Sequence, residues 1–313
     1  MFEYLCILLS IHRKSHSVIT IDCVRERKMN SNQIIRSTLY VVATPIGNLA
    51  DISERAQQVL RSVDLICCED TRHSARLMDH LGCTTPLLSL HEHNERDRSA
   101  MIVERLQSGQ SIALVSDAGT PLISDPGYVL VNHVIDAQLQ VVPIPGASAV
   151  ITALSISGLP TDRWRFEGFL PSKTGARLKI LNALAKDHLT LVFYESSHRI
   201  EGSLADMALA FGADRPIVVA RELTKTFETV LRGTIAEVQL AVAADNNQRK
   251  GEFVVLVQGV ATEVVGIGDE RVVALVNELT AILPPKKAAA IVAKVFGGSK
   301  KIYYEYIVAL GSE

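Results

Sequence analysis

The 313-residue chain lacks the marks by which several classes of protein are known. Its five cysteines, Cys6, Cys23, Cys67, Cys68 and Cys83, are an odd set with no CxxC spacing. That argues against a disulfide framework and against a zinc site, and it fits a reducing cytoplasm. Cys67 and Cys68 end an apolar run and read as core packing. No apolar run approaches the ~20 residues that a membrane helix needs, so no membrane is expected. Residues 4–11 are apolar but few, with Glu3 ahead of them and the basic residues behind, the reverse of a signal peptide. A strong charge of either sign is also missing: the formal net charge is −2, so any contact with nucleic acid has to come from a local patch. His91-Glu92-His93 offers two imidazoles but no evident third and fourth ligand, and reads as structure or solvent-facing rather than metal.

What is present describes an ordinary globular protein, 48% apolar and 21% charged. Residues 1–28 lack the punctuation of the rest, and 1–36 read as a disordered extension. Met29 is an alternative start, and the first ~30 residues are expected to be dispensable. From Leu39 onward strand, loop and helix repeat five times. Strands are expected at 39–43, 64–68, 86–90, 111–115 and 140–143, and helices from Asp51 or Ser53, after His73 through Leu81, over 99–106, 128–135 and 149–156. Residues 91–96 are expected as a polar loop. The repeat argues for a doubly wound parallel sheet over 37–157, with its loops on one edge. Near Gly158-Leu159-Pro160 the character shifts. Strands at 165–169, 189–194, 216–220, 227–232 and 252–257, with helices at 175–186 and 199–211, suggest a second, mixed-sheet α/β domain over 158–262. Residues 263–313 read as a helical, lysine-rich extension, with Pro284-Pro285 stopping its first helix. Lys286, Lys287, Lys294, Lys300 and Lys301, with Tyr303, Tyr304 and Tyr306, make either a nucleic-acid face or a solvated cap with a tyrosine core. The residue pattern favours the cap.

Three strand ends are rich in small residues, glycine and proline: Thr44-Pro45-Ile46-Gly47-Asn48, Ser116-Asp117-Ala118-Gly119-Thr120-Pro121, and Pro145-Gly146-Ala147-Ser148-Ala149. Open α/β sheets hold ligands at such ends. Gly119 and Gly127 would let backbone approach a ligand closely. The loops have neither the GxGxxG spacing with a later acidic residue that nicotinamide binding requires nor the GxxxxGK[ST] of a triphosphate site. Together they suit a flat polar ligand such as a nucleoside. Asp117 and Asp125 are explained by turn capping.

These motifs, with Glu69-Asp70-Thr71-Arg72, Ser124-Asp125-Pro126-Gly127, Tyr194-Glu195-Ser196-Ser197-His198-Arg199 and Arg221-Glu222-Leu223-Thr224-Lys225, stand in the order found in the tetrapyrrole methylase superfamily. Within it the chain resembles the ribosomal RNA small-subunit methyltransferase I branch, over about 39–259. Ser-Asp-Ala-Gly-Thr-Pro replaces the Gly-Asp-Pro opening of the tetrapyrrole enzymes. The resemblance implies a two-domain α/β homodimer holding S-adenosylmethionine between its domains. It implies 2′-O-methylation of a cytidine in the decoding region of 16S rRNA, within the small ribosomal subunit. Methylation of a tetrapyrrole or another small molecule is the alternative. The resemblance makes Pro45, Gly47, Ser116, Asp117, Ala118, Gly119, Thr120, Pro121, Pro145, Gly146, Ala147, Ser148, Ala149 and Tyr194 cofactor candidates. A ribose hydroxyl reacts once its proton has somewhere to go, and Glu69, Asp70, Glu195, Glu222 and Lys225 are the candidate bases. Each has a plain alternative as a cap or ion-pair partner. Arg72, Arg199 and Arg221, with the five tail lysines, are the candidate RNA contacts, although Arg221 could instead pair with Glu222.

Overall fold

Four apolar residues in a row make a stable strand only where both faces of a sheet are covered. β2 (Leu65–Cys68) and β4 (Ile112–Val115) are buried at every position. In the computed structural model, which describes residues 34–261 and 266–310, they lie inside a five-stranded sheet. With β1 (Thr38–Val42), β3 (Leu87–Ser89) and β5 (Gln140–Ile144) the order is β3-β2-β4-β1-β5, and every pairing is parallel. Residues 1–33, on which the expected dispensability and the alternative start rest, lie outside the described residues. Ile35 is already tied down, its N–H donating to the Tyr40 hydroxyl at 2.8 Å.

Strand alternation assigns the helices to faces. Tyr40, Val42, Ile66, Cys68, Ala113 and Val115 pack against Ala56, Val59 and Leu60 of α1 (Glu54–Ser62) and Met78 and Leu81 of α2 (Thr71–Leu81). Leu39, Leu65, Cys67, Ile112 and Leu114 pack against Ile102 and Leu106 of α3 (Glu95–Gln107) and Leu130 and Val134 of α4 (Tyr128–Asp136). Both faces are covered, as the doubly wound pattern predicts. From β1 the chain crosses towards β2, and from β4 it crosses the other way, towards β5. The order therefore reverses between these two neighbours, where a ligand crevice opens.

Two helix limits differ from expectation. α3 begins at Glu95, inside the stretch read as polar loop. Glu95 is buried and its carboxylate accepts from the Leu130 N–H at 3.0 Å, in the first turn of α4. It thus caps a helix whose own N-cap, Gly127, has no side chain to do so. Pro285 does not only stop one helix. It opens the next at a position where its missing N–H costs nothing.

The second sheet contains β6 (Trp164–Phe169), β7 (Thr190–Ser196), β8 (Pro216–Arg221), β9 (Thr229–Thr234) and β10 (Glu252–Val257), ordered β6-β7-β10-β8-β9. β6 and β7 are parallel and the other pairings antiparallel, which makes it the expected mixed sheet. One face is covered by α6 (Thr174–Leu184), α7 (Ile200–Phe211) and α8 (Ile235–Ala244). The other face, with Val192, Val218, Ala220, Val254 and Leu256, receives Val150, Ala153 and Leu154 of α5 (Ala149–Ser157), and Ile46 from the loop after β1. α5 directly follows the last strand of the first sheet, yet it buries its apolar side on the second. The two sheets are joined through a shared core. The helices α9 (Glu270–Thr280), α10 (Pro285–Phe296) and α11 (Lys300–Leu310) build a separate small core around Val272, Val276, Val292, Tyr303 and Ile307.

α6 and α7 are clamped by Arg177 and Asp206, both buried, with Nε 2.7 Å from Oδ2. Removing one member of such a pair strands a charge in the core. Asp206→Ala is expected to destabilise the second sheet's half by about 3–5 kcal/mol, measured as a fall in denaturant midpoint or Tm. A change within error would show that the clamp is dispensable.

Candidate active site

The loops after β1, β4 and β5 meet. The Thr44 N–H donates to the Gly119 carbonyl at 2.8 Å, and the Gly119 N–H donates back to the Thr44 carbonyl at 3.1 Å. The Thr44 hydroxyl adds a bond to the Ser116 carbonyl at 3.2 Å, and the Thr120 hydroxyl reaches the Ala147 carbonyl at 3.1 Å. Gly146 lies so close beneath the end of β1 that a Cβ there would sit 3.0 Å from the Ala43 Cβ.

Across from these loops stand the end of β7, with Tyr194 and Glu195, and the turn after β8, residues 222–225. A Cβ on Gly47 would collide with the Lys225 side chain, so the two halves touch here. Between them are two adjoining hollows of about 350 and 360 Å³. Ile46, Asp117, Ala118, Lys225 and Glu252 border both. Asp125, Ala149, Phe169, Tyr194 and Glu195 line the first, and Pro45, Gly47, His73 and Ser116 the second.

Of the cofactor candidates, Pro45, Gly47, Ser116, Asp117, Ala118, Ala149 and Tyr194 are on these walls. Gly119, Thr120, Pro121, Pro145, Gly146, Ala147 and Ser148 border neither hollow; of these, Gly119, Thr120, Gly146 and Ala147 make the contacts that tie the loops together. The glycines act differently from the expectation. Gly119 adopts φ +83° against Ile46, and a Cβ on Gly127, at φ +128°, would strike Leu114 and Leu122. Both serve backbone conformation and internal packing rather than close approach to a ligand. Non-glycine residues are strained in the two facing turns: Leu122 (φ 72°), Ser124 (φ 66°), Glu222 (φ 49°) and Thr224 (φ 66°) account for four of the six such residues among the described residues.

The candidate bases sort by their partners. Asp70 caps α2 by accepting from the Arg72 N–H at 2.8 Å and pairs with the Arg72 guanidinium at 3.1 Å. Glu195 is buried and held by Arg199 at 2.9 Å, by the Ser196 N–H at 2.8 Å and by the Ser203 hydroxyl. Lys225 bridges Glu222 at 2.9 Å and Glu252 at 2.8 Å. Burial alone would depress the Lys225 amine, but the two carboxylates outweigh it and hold it above its usual range. Burial alone would raise Glu222; the Lys225 contact and the Glu252 N–H outweigh it and hold the carboxyl low. These groups are already engaged.

Turn capping does not account for Asp125. Its carboxyl is pushed up to about 6, first by burial and then by the charge of Glu69, with Asp117 adding to it. Glu69 is raised as well, by burial and then by Asp117. Asp117 and Asp125 line the first hollow, with Glu69 at the end of β2 close enough for its charge to act on Asp125, and Asp125 shares that hollow with Tyr194, whose phenol is pushed up to about 12 by burial and the Asp125 charge. Sequence reasoning missed Asp125, Glu252 and Phe169 as wall residues. Asp125 stood within a quoted motif, but its company was set by the fold, which brings it near Glu69, 56 positions earlier in the chain.

Arg72 is exposed, and Arg199 lies beneath Phe169 and donates to the Leu170 carbonyl at 3.0 Å. Arg221 is buried, with no ion pair to Glu222. It donates to the Lys250 and Phe227 carbonyls at 2.6 and 2.9 Å, which fits a brace better than a phosphate contact. Lys286, Lys287, Lys294, Lys300 and Lys301 are all exposed, while Tyr303 is core and Tyr304 exposed. The tail has its own core, with Tyr303 inside it and Tyr306 packed against it, and carries the lysines on its surface, an arrangement common to both readings. No helix among the described residues is long and apolar enough to cross a membrane.

The profile of the family described as Tetrapyrrole (Corrin/Porphyrin) Methylases matches residues 38–239, and that of the RsmI C-terminal HTH domain matches 267–311. Ribosomal RNA small subunit methyltransferase I of Xylella fastidiosa (strain Temecula1 / ATCC 700964) is 55% identical over 269 residues, covering 85% of this chain and 97% of that protein. The protein of the same name from Escherichia coli O157:H7 is 49% identical over 270 residues, covering 86% and 93%. Among solved structures, the methyltransferase CobJ superposes with a TM-score of 0.54 at 19% identity, over 73% of this chain and 96% of that one. Diphthine synthase superposes with a TM-score of 0.53 at 15% identity, over 71% and 89%. At such identities these two speak for the fold alone.

The raised Asp125 carboxyl gives a pH signature. Between the ordinary carboxylate range and about 6, the folded chain binds a proton that the unfolded chain has lost, so stability falls as pH rises through this window. Asp125→Asn is expected to raise Tm by a few degrees at pH 7, with the gain shrinking to nothing below about pH 4. A gain that stays constant with pH would overturn the assignment.

Proposed function

The chain belongs to the tetrapyrrole methylase family and, within it, to the ribosomal RNA small subunit methyltransferase I group. From that premise we propose that it transfers a methyl group from S-adenosylmethionine to the 2′-hydroxyl of a cytidine in the decoding region of 16S rRNA. The observation that carries this is the meeting of three separate loops, opposite Tyr194 and the 222–225 turn, around two adjoining hollows.

The walls fit such a cofactor. They are built from backbone of residues 44–47 and 116–118, small side chains and carboxyls, without the lysine-bearing glycine loop of a triphosphate site. S-adenosylmethionine, when bound, supplies an electrophilic methyl carbon on a positively charged sulfur. Carboxyls at Asp117 and Asp125 favour a cation in the crevice. The bonds behind the wall, Thr44 with Gly119 and Thr120 with Ala147, keep the loops from shifting, which is what an in-line displacement asks of its surroundings. Asp125 would take the hydroxyl proton as the methyl passes from sulfur to oxygen, the carbon–sulfur bond breaking to leave neutral S-adenosylhomocysteine. A carboxyl tuned towards neutrality suits that role, and Asp70, Glu195, Glu222 and Lys225 are committed elsewhere.

In this reading 16S rRNA is held within the small ribosomal subunit by the lysines of α10 and α11, with Arg72 and Arg199 near the crevice. The chain works in the cytoplasm as a homodimer, which its exposed Leu209 and Leu240 on α7 and α8 would suit. Its units are 37–157, 158–262 and 263–313, the last carrying α9 to α11, with α5 bridging the first two.

Mass spectrometry of 16S rRNA from cells with and without the gene is expected to show one cytidine losing a ribose methyl. Methyl transfer to a tetrapyrrole, with none to small subunits, would overturn the proposal. A second prediction concerns the tail. Its helices share one core, so it has to be removed whole: deletion of residues 267–313 is expected to weaken binding to small subunits roughly tenfold or more while cofactor affinity holds, measured by filter binding and calorimetry. Unchanged affinity for the subunits would remove the tail from the RNA contact.

A further inference from the structure

An aromatic ring half in water is an unusual wall for an enclosed pocket, and Phe169 is such a ring: it is 53% exposed while bordering the first hollow. Its position is built. In β6 the register runs Phe166 to Val192 and then Gly168 to Phe193, so Glu167 has no partner and the strand bulges. Gly168 takes φ +66° at the bulge, with its Cα side set against the loop after β4, where a Cβ would lie 3.3 Å from the Ser124 hydroxyl. Bulges re-aim the side chains that follow them. Here the next side chain is Phe169, delivered to the rim of the crevice.

The ring is also held. Its centroid is 5.4 Å from that of Tyr194 at 54°, and Tyr194 is itself fixed edge-on against Phe166 at 4.9 Å. The Arg199 guanidinium lies 5.6 Å from the Phe169 centroid. That guanidinium cannot swing freely, since Nε bonds Glu195 and Ser196 and Nη1 bonds the Leu170 carbonyl. The result is a rigid aromatic shelf backed by a fixed cation, with one side open to water. Such surfaces stack nucleobases, which are large, flat and tolerant of partner.

Resting on the proposed function, we propose that Phe169 is the stacking platform for the base of the acceptor nucleotide, drawn out of its rRNA strand into the crevice. Phe169 and Asp125 border the same hollow, so a nucleotide whose base lies on the shelf brings its ribose to the carboxylate. The cofactor candidates reach this hollow too, Ala149 and Tyr194 bordering it and Asp117 and Ala118 bordering both, so the acceptor at the rim and the cofactor meet there. An enzyme acting on one nucleotide of a structured RNA has to extract it, and stacking compensates the lost neighbours.

The test uses the full chain and small ribosomal subunits. Phe169→Ala is expected to raise the RNA concentration for half-saturation roughly tenfold, with that for S-adenosylmethionine within about twofold, and Phe169→Trp to recover most of the RNA affinity. The chain has one tryptophan, Trp164, so Phe169→Trp combined with Trp164→Phe carries a single reporter on the shelf. Its fluorescence is expected to be quenched by a decoding-region RNA fragment in the presence of S-adenosylhomocysteine, and left alone by the same fragment with an abasic acceptor position. Equal quenching by both fragments, unchanged RNA half-saturation in Phe169→Ala, or a shift confined to the cofactor would each overturn the platform. A wild-type chain that methylates no RNA overturns the proposed function instead, and is distinguished by that control.

Discussion

Everything at the crevice depends on one reciprocal pair of backbone hydrogen bonds, between Thr44 and Gly119. β1 and β4 are neighbours whose chains leave in opposite directions, so their ends would splay apart and leave unpaired backbone over an apolar core. The pair extends the sheet by one antiparallel step past the point where the parallel ladder stops. Gly119 can make it because φ +83° is open to glycine, and Thr44 adds its hydroxyl to the Ser116 carbonyl. With this point fixed, residues 45–47 and 116–118 diverge to either side and become the walls of two hollows instead of one collapsed loop.

The opposite wall is held by charge and by strain. Lys225 draws Glu222 and Glu252 together, and Glu222 and Thr224 take backbone angles that side chains disfavour. The turn is kept there by the Glu222 N–H on the Glu252 carbonyl at 2.9 Å and the Thr224 N–H on the Glu228 carboxylate at 2.6 Å. Across the gap Leu122 and Ser124 are strained too. Strain of this kind persists where surrounding contacts over-determine it, and it gathers on both sides of the gap to which the proposed function assigns the chemistry. α5 makes the gap a fixed distance, because it leaves the first sheet and buries its apolar side in the second.

Much of this was legible in the residues. Uninterrupted apolar strands with glycine- and proline-rich ends announced the parallel sheet and located the three loops, because burial on both faces leaves no polar alternation to confuse. The mixed second sheet was legible as to class, and its strands were placed within a residue or two. Other features were not. Glu95 looked like loop because a carboxylate reads as solvent-facing, and only the missing cap of α4 explains its burial. Asp125 looked like a turn residue because its perturbation arises first from burial and then from the charge of Glu69, neither of which the local sequence displays. Arg221 looked like a phosphate contact because a guanidinium next to a carboxylate carries no sign of whether it points in or out. What a sequence hides is which charged groups the fold turns inward.

That distinction bears on how an acidic crevice could act on a polyanion. Glu69, Asp117 and Asp125 repel phosphate, so a nucleic acid has no electrostatic reason to enter. The exposed lysines lie on a helical unit with its own core, away from these carboxyls in sequence and packing. On the proposed function the two charges divide the task. The lysines gather the phosphate backbone outside, in a salt-dependent and sequence-indifferent way. The crevice admits only what carries no charge, a ribose and a base, and reserves its negative field for a cationic methyl donor. A uniformly basic protein would bind RNA more tightly but would weaken the site that holds the sulfonium. The near-neutral net charge of the chain is then the sum of two opposed requirements kept apart in space, and not an absence of electrostatic design.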